Sequence, residues 1–373
     1  MREFIPVSEP MLDGNEKKYL AEAIDTGWIS SEGPFVKKFE ENFSAKVGRK
    51  YGIAVANGTA ALEIAVKAIG IKSGDEVIMP SFTIISCAQA VAKEGGKIIP
   101  VDCSPIDFNI VTDEIESKIT DKTKAIMPVH IYGHPVDMDK IDAIAKKHNL
   151  KIIEDAAEMH GQTYKGKPCG SFGDISVFSF YANKIVTTGE GGMIVTDGET
   201  LAEKCRYYRN LCFENKRRFV HFELGYNYRF TNIQAAIGLA QLERIDEFVR
   251  LKREVGEKFN HLFASNKLLQ SPVHTSQNSV NIYWVYPLVI SNEIPYSAEY
   301  VMTELQKKGI GTRPFFYPLH LQPVLLNMRA VDQGLSLPNS EYIAEKGFYI
   351  PSSITLTDNE INYIADSVNQ IVC

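Results

Sequence analysis

Between Tyr51 and Asp155, short apolar runs alternate with helical stretches, and no other feature constrains the fold as much. The pattern predicts strands over Tyr51–Ala56, Glu76–Pro80, Lys97–Asp102, Lys124–His130 and Lys151–Asp155. Helices are expected between them, over Thr59–Ile69, Ser86–Lys93, Asp113–Ile119 and Asp137–His148. The strands are continuous apolar runs, such as Ile98-Ile99-Pro100-Val101, without polar alternation. Strands of that kind, joined through helices, belong to a mainly parallel sheet covered on both faces. Ligands of such sheets sit beyond the carboxyl ends of the strands.

The flanking segments extend this plan. Asp13 is expected to cap a first helix carrying Leu20, Ala23 and Ile24, which stops near Thr26-Gly27. After the loop Trp28–Pro34, a second helix places Phe35, Phe39, Phe43 and Val47 on one face, a stripe that suits core packing. Past Gly192 follow a strand (Met193–Thr196), a helix (Leu201–Leu211) and the polar loop Asn215-Lys216-Arg217-Arg218. One long helix is then predicted from about Asn232 to Phe263, its charged second half crossing between domains. A strand over Asn281–Ile290 and a helix over Ser297–Lys308 complete the reading. The expected fold is therefore α/β. A large domain (1–245) is built on a mainly parallel, seven-stranded-type sheet flanked by helices, and a smaller α+β domain spans 246–373.

At 373 residues the chain is long enough for two domains with a large core. A net charge of −6 argues against a nucleic-acid or anionic-membrane partner. No apolar run is long enough to span a bilayer, and Met1-Arg2-Glu3-Phe4-Ile5-Pro6 lacks the apolar centre of a signal peptide. The six cysteines (Cys87, Cys103, Cys169, Cys205, Cys212 and Cys373) show no metal-ligand spacing and read as reduced thiols of a cytoplasmic protein.

Chemistry concentrates in three places. The run Val177-Phe178-Ser179-Phe180 leads to Lys184, and Thr187-Thr188-Gly189-Glu190-Gly191-Gly192 follows. A lysine confined where a strand leaves the sheet loses part of its preference for the charged form and can act as an amine nucleophile. Alone, it also reads as an ordinary surface lysine. Asn57-Gly58-Thr59 turns a strand into a helix, where free amides and a missing side chain make a phosphate cradle. Asp155 ends a strand, either as a helix cap or as a buried carboxylate in need of a cationic partner. Joined to the lysine and the cradle, it suggests the partner of the pyridinium nitrogen of pyridoxal 5′-phosphate. Glu158, on the next turn, reads either as a contact to the ring hydroxyl or as a solvated residue.

Gly74-Asp75-Glu76-Val77, Glu154-Asp155-Ala156-Ala157-Glu158, Ser179-Phe180 with Lys184, Thr188–Gly192, and Gly225-Tyr226-Asn227-Tyr228-Arg229 followed by Thr231–Ala236 occur in order along the chain. In these motifs the chain resembles the sugar aminotransferases of the DegT/StrS type. The resemblance implies the fold of the type I pyridoxal-phosphate transferases, and an L-glutamate donor. It implies that Lys184 is the Schiff-base lysine, that Asp155 pairs with the ring nitrogen and that Glu158 lies near the ring hydroxyl. Gly58, Thr59 and Ser179 would hold the cofactor phosphate. Asn227 would reach the phosphate of the neighbouring subunit's cofactor, which requires a homodimer with shared sites. Lysine rather than histidine at 184 sets the chain apart from the family's dehydratases. One departure is Ile84, at the position after Thr83 where the family usually has an aromatic ring stacked on the cofactor; Phe82 substitutes only if that loop is rotated.

Trp28, Ser30 and His320 match segments that line the sugar pocket in relatives. Arg229, Arg313, Lys216, Arg217 and Arg218 are candidates for a diphosphate or the donor carboxylate; the last three read equally well as solvated loop charges. The expected acceptor is a nucleotide-linked 4-keto-6-deoxysugar, with GDP-4-keto-6-deoxymannose preferred over UDP- or dTDP-linked sugars or a free ketonic sugar acid. The pathway implied is surface-glycan (O-antigen) synthesis. Two other readings stay open from the residues alone: a cofactor-free Schiff-base aldolase using Lys184, and a non-enzymatic regulatory or binding protein on the same fold.

Overall fold

The computed structural model describes residues 3–214 and 216–372. Met1, Arg2, Asn215 and Cys373, which entered the sequence reading, lie outside them. The first half runs α1 (Glu16–Asp25), α2 (Pro34–Lys46), β1 (Tyr51–Val55), α3 (Gly58–Ile69), β2 (Glu76–Pro80), α4 (Ile85–Lys93), β3 (Lys97–Val101), α5 (Thr112–Ile115), β4 (Thr123–Ile126), α6 (Met138–His148), β5 (Lys151–Asp155), and the small hairpin β6 (Thr163–Tyr164) and β7 (Lys167–Pro168). It continues with β8 (Ile175–Ser179), β9 (Gly192–Thr196), α7 (Glu199–Arg209), α8 (Asn232–Leu242) and α9 (Ile245–Phe263). The last part comprises β10 (Leu269–Gln270), β11 (Tyr286–Ile290), α10 (Ala298–Lys307), β12 (Arg313–Pro314), α11 (Pro323–Asn327), α12 (Pro338–Lys346), β13 (Gly347–Ile350) and α13 (Asp358–Ile371).

Seven strands form the main sheet in the order β1-β9-β8-β5-β4-β2-β3. The pairs β8–β5, β5–β4, β4–β2 and β2–β3 are parallel, whereas β9 runs against both β1 and β8. The apolar runs explain the parallel part: Val77, Ile78, Met79, Ile126, Ile153 and Phe178 are all fully buried, as strands covered on both faces must be. β9 is reversed because the chain returns from β8 through a loop rather than a crossover helix. That loop carries Lys184.

The second sheet, β10-β11-β13-β12, is antiparallel throughout. It forms a separate core with α9, α10 and α13 around Phe259, Tyr286, Leu288, Val301 and Ile364, joined by Ile5 from the start of the chain. Among the described residues no helix is long and apolar enough to cross a membrane. The five described cysteines are buried and free.

Three expectations are corrected. The long helix is two, because Arg244 leaves helical geometry (φ −112°, ψ 10°). Its guanidinium pairs with Asp13 and donates from Nε to Glu247 Oε2 at 2.9 Å, while Glu243 accepts from Asn15 and Tyr19. These ties to the start of the chain hold the break open. Asp13 is therefore engaged elsewhere and does not cap α1, which starts after Asn15; on that helix Ala23 is buried but Ile24 is 62% exposed. The strand predicted from Asn281 begins only at Tyr286, because Asn281 Oδ1 accepts from Tyr283 N and Tyr283 sits at φ +50°, which breaks the extended ladder.

The aromatic stripe of α2 packs as expected, with Phe35, Phe39, Phe43 and Val47 all buried. The Phe39 ring lies 5.0 Å from Phe180 and 5.9 Å from Phe230, so this helix supports the strand end that precedes Lys184. Phe39→Ala is expected to lower the unfolding free energy by ~3–5 kcal/mol in denaturant titration. A loss under about 1 kcal/mol would contradict the packing role.

Candidate active site

At the carboxyl end of β8, the backbone folds back on itself around Phe180. Phe180 N donates to Gly191 O at 2.7 Å, and Phe180 O accepts from Thr188 N and Thr187 Oγ1, each at 3.0 Å. Between these closures the chain turns through Tyr181–Lys184, with Lys184 N donating to Tyr181 O. The turn presents Lys184 to a cavity of about 620 Å³, whose wall includes Asn57, Gly58, Thr59, Ile84, Asp155 and Ser179.

Lys184 Nζ lies 3.9 Å from Glu158 Oε1 and 3.6 Å from the centroid of the Trp284 ring. Trp284 is fixed in turn, because its Nε1 donates to Asn183 O at 2.9 Å. Burial drives the Lys184 amine below its ordinary pKa, against the opposing pull of Glu158 and Asp155. Burial also pushes Glu158 up to about 8, although Lys184 and the Tyr132 N–H, which donates to its Oε2 at 2.7 Å, favour the charged form. Asp155, 2% exposed, is raised by burial too. Its Oδ1 accepts from Ala157 N at 3.0 Å and its Oδ2 from the Cys87 thiol at 3.2 Å. Desolvation pushes the Cys87 pKa well up, so that thiol remains a donor.

The phosphate cradle predicted at Asn57–Thr59 is the N-terminus of α3. Asn57 caps it by accepting from Ala60 N at 2.8 Å, which leaves the first amides of the helix free. Gly58 is required here, since a Cβ would come within 2.8 Å of Ser179 Cβ. Thr59 Oγ1 is 2.8 Å from Ser86 Oγ. A glycine-lined helix start, a buried carboxylate and a desolvated lysine on the wall of one cavity fit pyridoxal phosphate. Ile84 lines the cavity and is 43% exposed. Phe82 is fully buried among Phe108, Tyr132, Phe315 and Phe316, so the loop is not rotated to offer its ring.

The remaining predicted residues lie outside the described cavity wall. Asn227 is exposed, and Arg229 Nη1 donates to Asn210 Oδ1 at 2.8 Å. Arg313 is exposed on β12, directly opposite Tyr349 of the cavity wall, and so stands on the same sheet face at the rim. Lys216, Arg217 and Arg218 are exposed. His320 is buried, with Nδ1 2.7 Å from Ser81 Oγ and Nε2 3.1 Å from Glu341 Oε1, so its ring clamps two segments together. Trp28 and Ser30 are exposed, and their carbonyls accept from the Nδ2 and the backbone N of buried Asn232. Gly33 passes so close to Asn232 that a Cβ would overlap its amide.

Sequence reasoning missed Trp284 and Cys87. Trp284 falls within the strand expected over Asn281–Ile290, and Cys87 reads from the sequence only as one of six reduced thiols. The positive φ at Tyr283 that aims Trp284 at the lysine leaves no mark in sequence periodicity.

Fold and site together define a pyridoxal-phosphate enzyme whose lysine stands on a loop between two antiparallel strands. The DegT/DnrJ/EryC1/StrS aminotransferase family matches residues 10–369, and the chain belongs to it. It is a pyridoxal-phosphate-dependent aminotransferase. It is 42% identical to the GDP-perosamine synthase of Escherichia coli O157:H7, over 98% of each chain. Its structure is similar to that of Helicobacter pylori PseC, an aminotransferase of pseudoaminic acid biosynthesis, with a TM-score of 0.93 and 25% identity over 99% of each chain. It is also similar to Spr1654 of Streptococcus pneumoniae in its PMP form, with a TM-score of 0.90 and 25% identity over 99% of this chain and 98% of that one.

The raised pKa of Glu158 has a signed consequence. From about pH 4.5 to about 8 the folded chain keeps a proton on Glu158 that the unfolded chain has released, so this group's stabilisation is lost as pH rises through that window. In Glu158→Gln that component is absent. The thermal midpoint of the cofactor-free variant, relative to wild type, should therefore climb between those pH values, and a flat difference would contradict the buried carboxyl.

Proposed function

We propose that the chain transfers the amino group of L-glutamate to C4 of GDP-4-keto-6-deoxymannose, releasing 2-oxoglutarate and GDP-perosamine. The observation that carries this reading is the 42% identity, over nearly the full length of both chains, to a GDP-perosamine synthase. The same chemistry on another nucleotide-linked keto-sugar is the alternative outcome of the test below. The reading places the protein in the cytoplasm as a homodimer, in two domains dividing at 245/246; the separate core around β11 and β13 supports that division.

When bound, pyridoxal phosphate supplies an aldehyde that exchanges for an amine and a ring that withdraws electrons from the adjacent carbon. In this reading Gly58, Thr59 and Ser179 would hold its phosphate, Asp155 would pair with the ring nitrogen, Glu158 would serve the ring hydroxyl, and Ile84 would offer an apolar surface to the ring. The buried position of Asp155 and the closeness of Gly58 to Ser179 support these assignments. Lys184, held below its ordinary pKa by burial, gives up its proton more readily than a solvated lysine and serves as nucleophile and then as base. It removes the proton at the donor Cα and returns one at C4 of the sugar. Trp284 covers one side of Nζ and keeps water from it.

Asn227 is assigned to the phosphate of the neighbouring subunit's cofactor. Its exposure, away from the cavity of its own chain, supports this. Arg313, at the rim, is assigned to the anionic part of the substrate, with Arg229, Trp28 and Ser30 shaping the approach, while buried His320 only holds the segment in place.

Lys184→Ala is expected to lower transamination by about a thousandfold or more while the fold persists. In the wild-type holoenzyme, L-glutamate should bleach the absorption band of lysine-bound cofactor, and the true acceptor among a panel of nucleotide-linked 4-keto-sugars should restore it. Restoration by a UDP- or dTDP-linked sugar, and not by the GDP-linked one, would overturn the acceptor. Turnover retained in Lys184→Ala would overturn the lysine.

A further inference from the structure

The segment that carries Asn227 is fastened to its own subunit by an unusually complete network. Its backbone is held on two sides: Ala56 N donates to Tyr228 O and Tyr228 N to Arg209 O, while Tyr226 N donates to Tyr208 O and Leu211 N to Tyr226 O. Ala56 immediately precedes the Asn57–Thr59 cradle of the same chain. In an extended segment neighbouring side chains point opposite ways, so Tyr226 and Tyr228 face the body of the protein while Asn227 faces outward. The two rings stack at 4.7 Å with an interplanar angle of 3°.

Each ring is also held at its tip. Tyr226 OH donates to Glu94 Oε1 at 3.0 Å, and Tyr228 OH donates to Glu63 Oε2 at 2.8 Å. Glu63, on α3, is 2% exposed. Its other oxygen accepts from Gln89 Nε2 at 3.0 Å and Lys93 Nζ at 2.5 Å, both on α4. Burial alone would raise its pKa, but these donors outweigh burial and hold it below its ordinary value. Glu63 borders the cavity, yet both of its oxygens are occupied by protein donors. Oε1 is taken by Lys93 and Gln89, which leaves Oε2 to hold the Tyr228 hydroxyl.

We propose that Glu63 is a positioning residue for the neighbouring subunit's cofactor: by locking the Tyr228 hydroxyl, and through the ring stack Tyr226, it fixes the direction in which Asn227 leaves the surface. This rests on the shared-site reading of Asn227. The effect of Glu63 is then felt in the partner's site, which separates it from an ordinary structural role in its own chain.

Heterodimers of two differently tagged chains test this. One chain is wild type. The other carries Lys184→Ala, alone or with Glu63→Ala or Asn227→Ala, so the only functional lysine is in the wild-type chain and Asn227 reaches it from the altered one. The readout is the rate at which pyridoxal phosphate leaves the wild-type site after dilution into a scavenger.

Glu63→Ala in trans should speed release about tenfold over the Lys184→Ala control, as loss of a charged hydrogen-bond anchor would. Asn227→Ala in trans should speed it at least as much. If Asn227→Ala accelerates release and Glu63→Ala does not, the role of Glu63 is overturned while the shared site stands. If neither accelerates it, the shared-site reading falls, and this inference with it. Should the Glu63→Ala chain fail to assemble, Tyr228→Phe decides in its place: it removes only the hydroxyl, keeps the ring stack, and is expected to speed release in the same direction.

Discussion

Everything at the centre of this molecule depends on keeping an amine and two carboxyl groups out of water within one wall of a cavity. Lys184 Nζ, Glu158 and Asp155 each lose solvation there, and burial shifts each away from its charged form. They offset the cost partly by facing one another and partly through fixed donors, the Tyr132 amide for Glu158 and the Ala157 amide and Cys87 thiol for Asp155. The arrangement persists only because the surroundings are rigid. The closures on Phe180 hold the lysine loop, the aromatic rings of α2 hold Phe180, and Trp284 shuts one side.

The sheet supplies that rigidity and also decides where the groups meet. Parallel β5 and β8 end side by side, so Asp155 and Ser179 reach the same edge. β1 ends at that edge as well, which brings the start of α3 against Ser179 so closely that only glycine fits at position 58. The reversed strand β9 lets the chain turn at the edge without a crossover helix, and the short loop it allows holds Lys184. An aminotransferase needs an amine, an acid and an anion site within one cofactor's length, and this topology brings all three together.

Much of this was legible before the structure. Continuous apolar strands such as Ile152-Ile153 and helical stripes such as Phe35–Val47 are dictated by burial on two faces or one, and local sequence records burial directly. For that reason the strand expected over Lys151–Asp155 coincides with β5, and the expected stripe Phe35, Phe39, Phe43 and Val47 is the buried face at α2. Lys184, Asp155 and Gly58 line one cavity because their places at strand ends follow from the same pattern. The pattern misleads where a side-chain hydrogen bond, near or distant, overrides local preference. Arg244 breaks a helix whose periodicity continues past it, because Asp13 and Glu247 hold its guanidinium. Tyr283 leaves the extended conformation that its apolar neighbours suggest.

By itself, the sequence determined the alternation of elements, the parallel sheet, the strand-end location of the reactive lysine, and the family motifs that identify an aminotransferase. Tertiary structure alone decided that His320 clamps Ser81 to Glu341 rather than lining the cavity, and that Phe82 is committed to an aromatic core while Ile84 faces the site. It also placed Trp284 over the lysine and Glu63 behind Tyr228. The difference is physical. Burial and backbone conformation act along the chain at spacings of a few residues and leave a periodic trace, whereas a hydrogen bond or ring contact between residues 100 or more positions apart, such as Trp284 with Asn183 or Tyr228 with Glu63, leaves none.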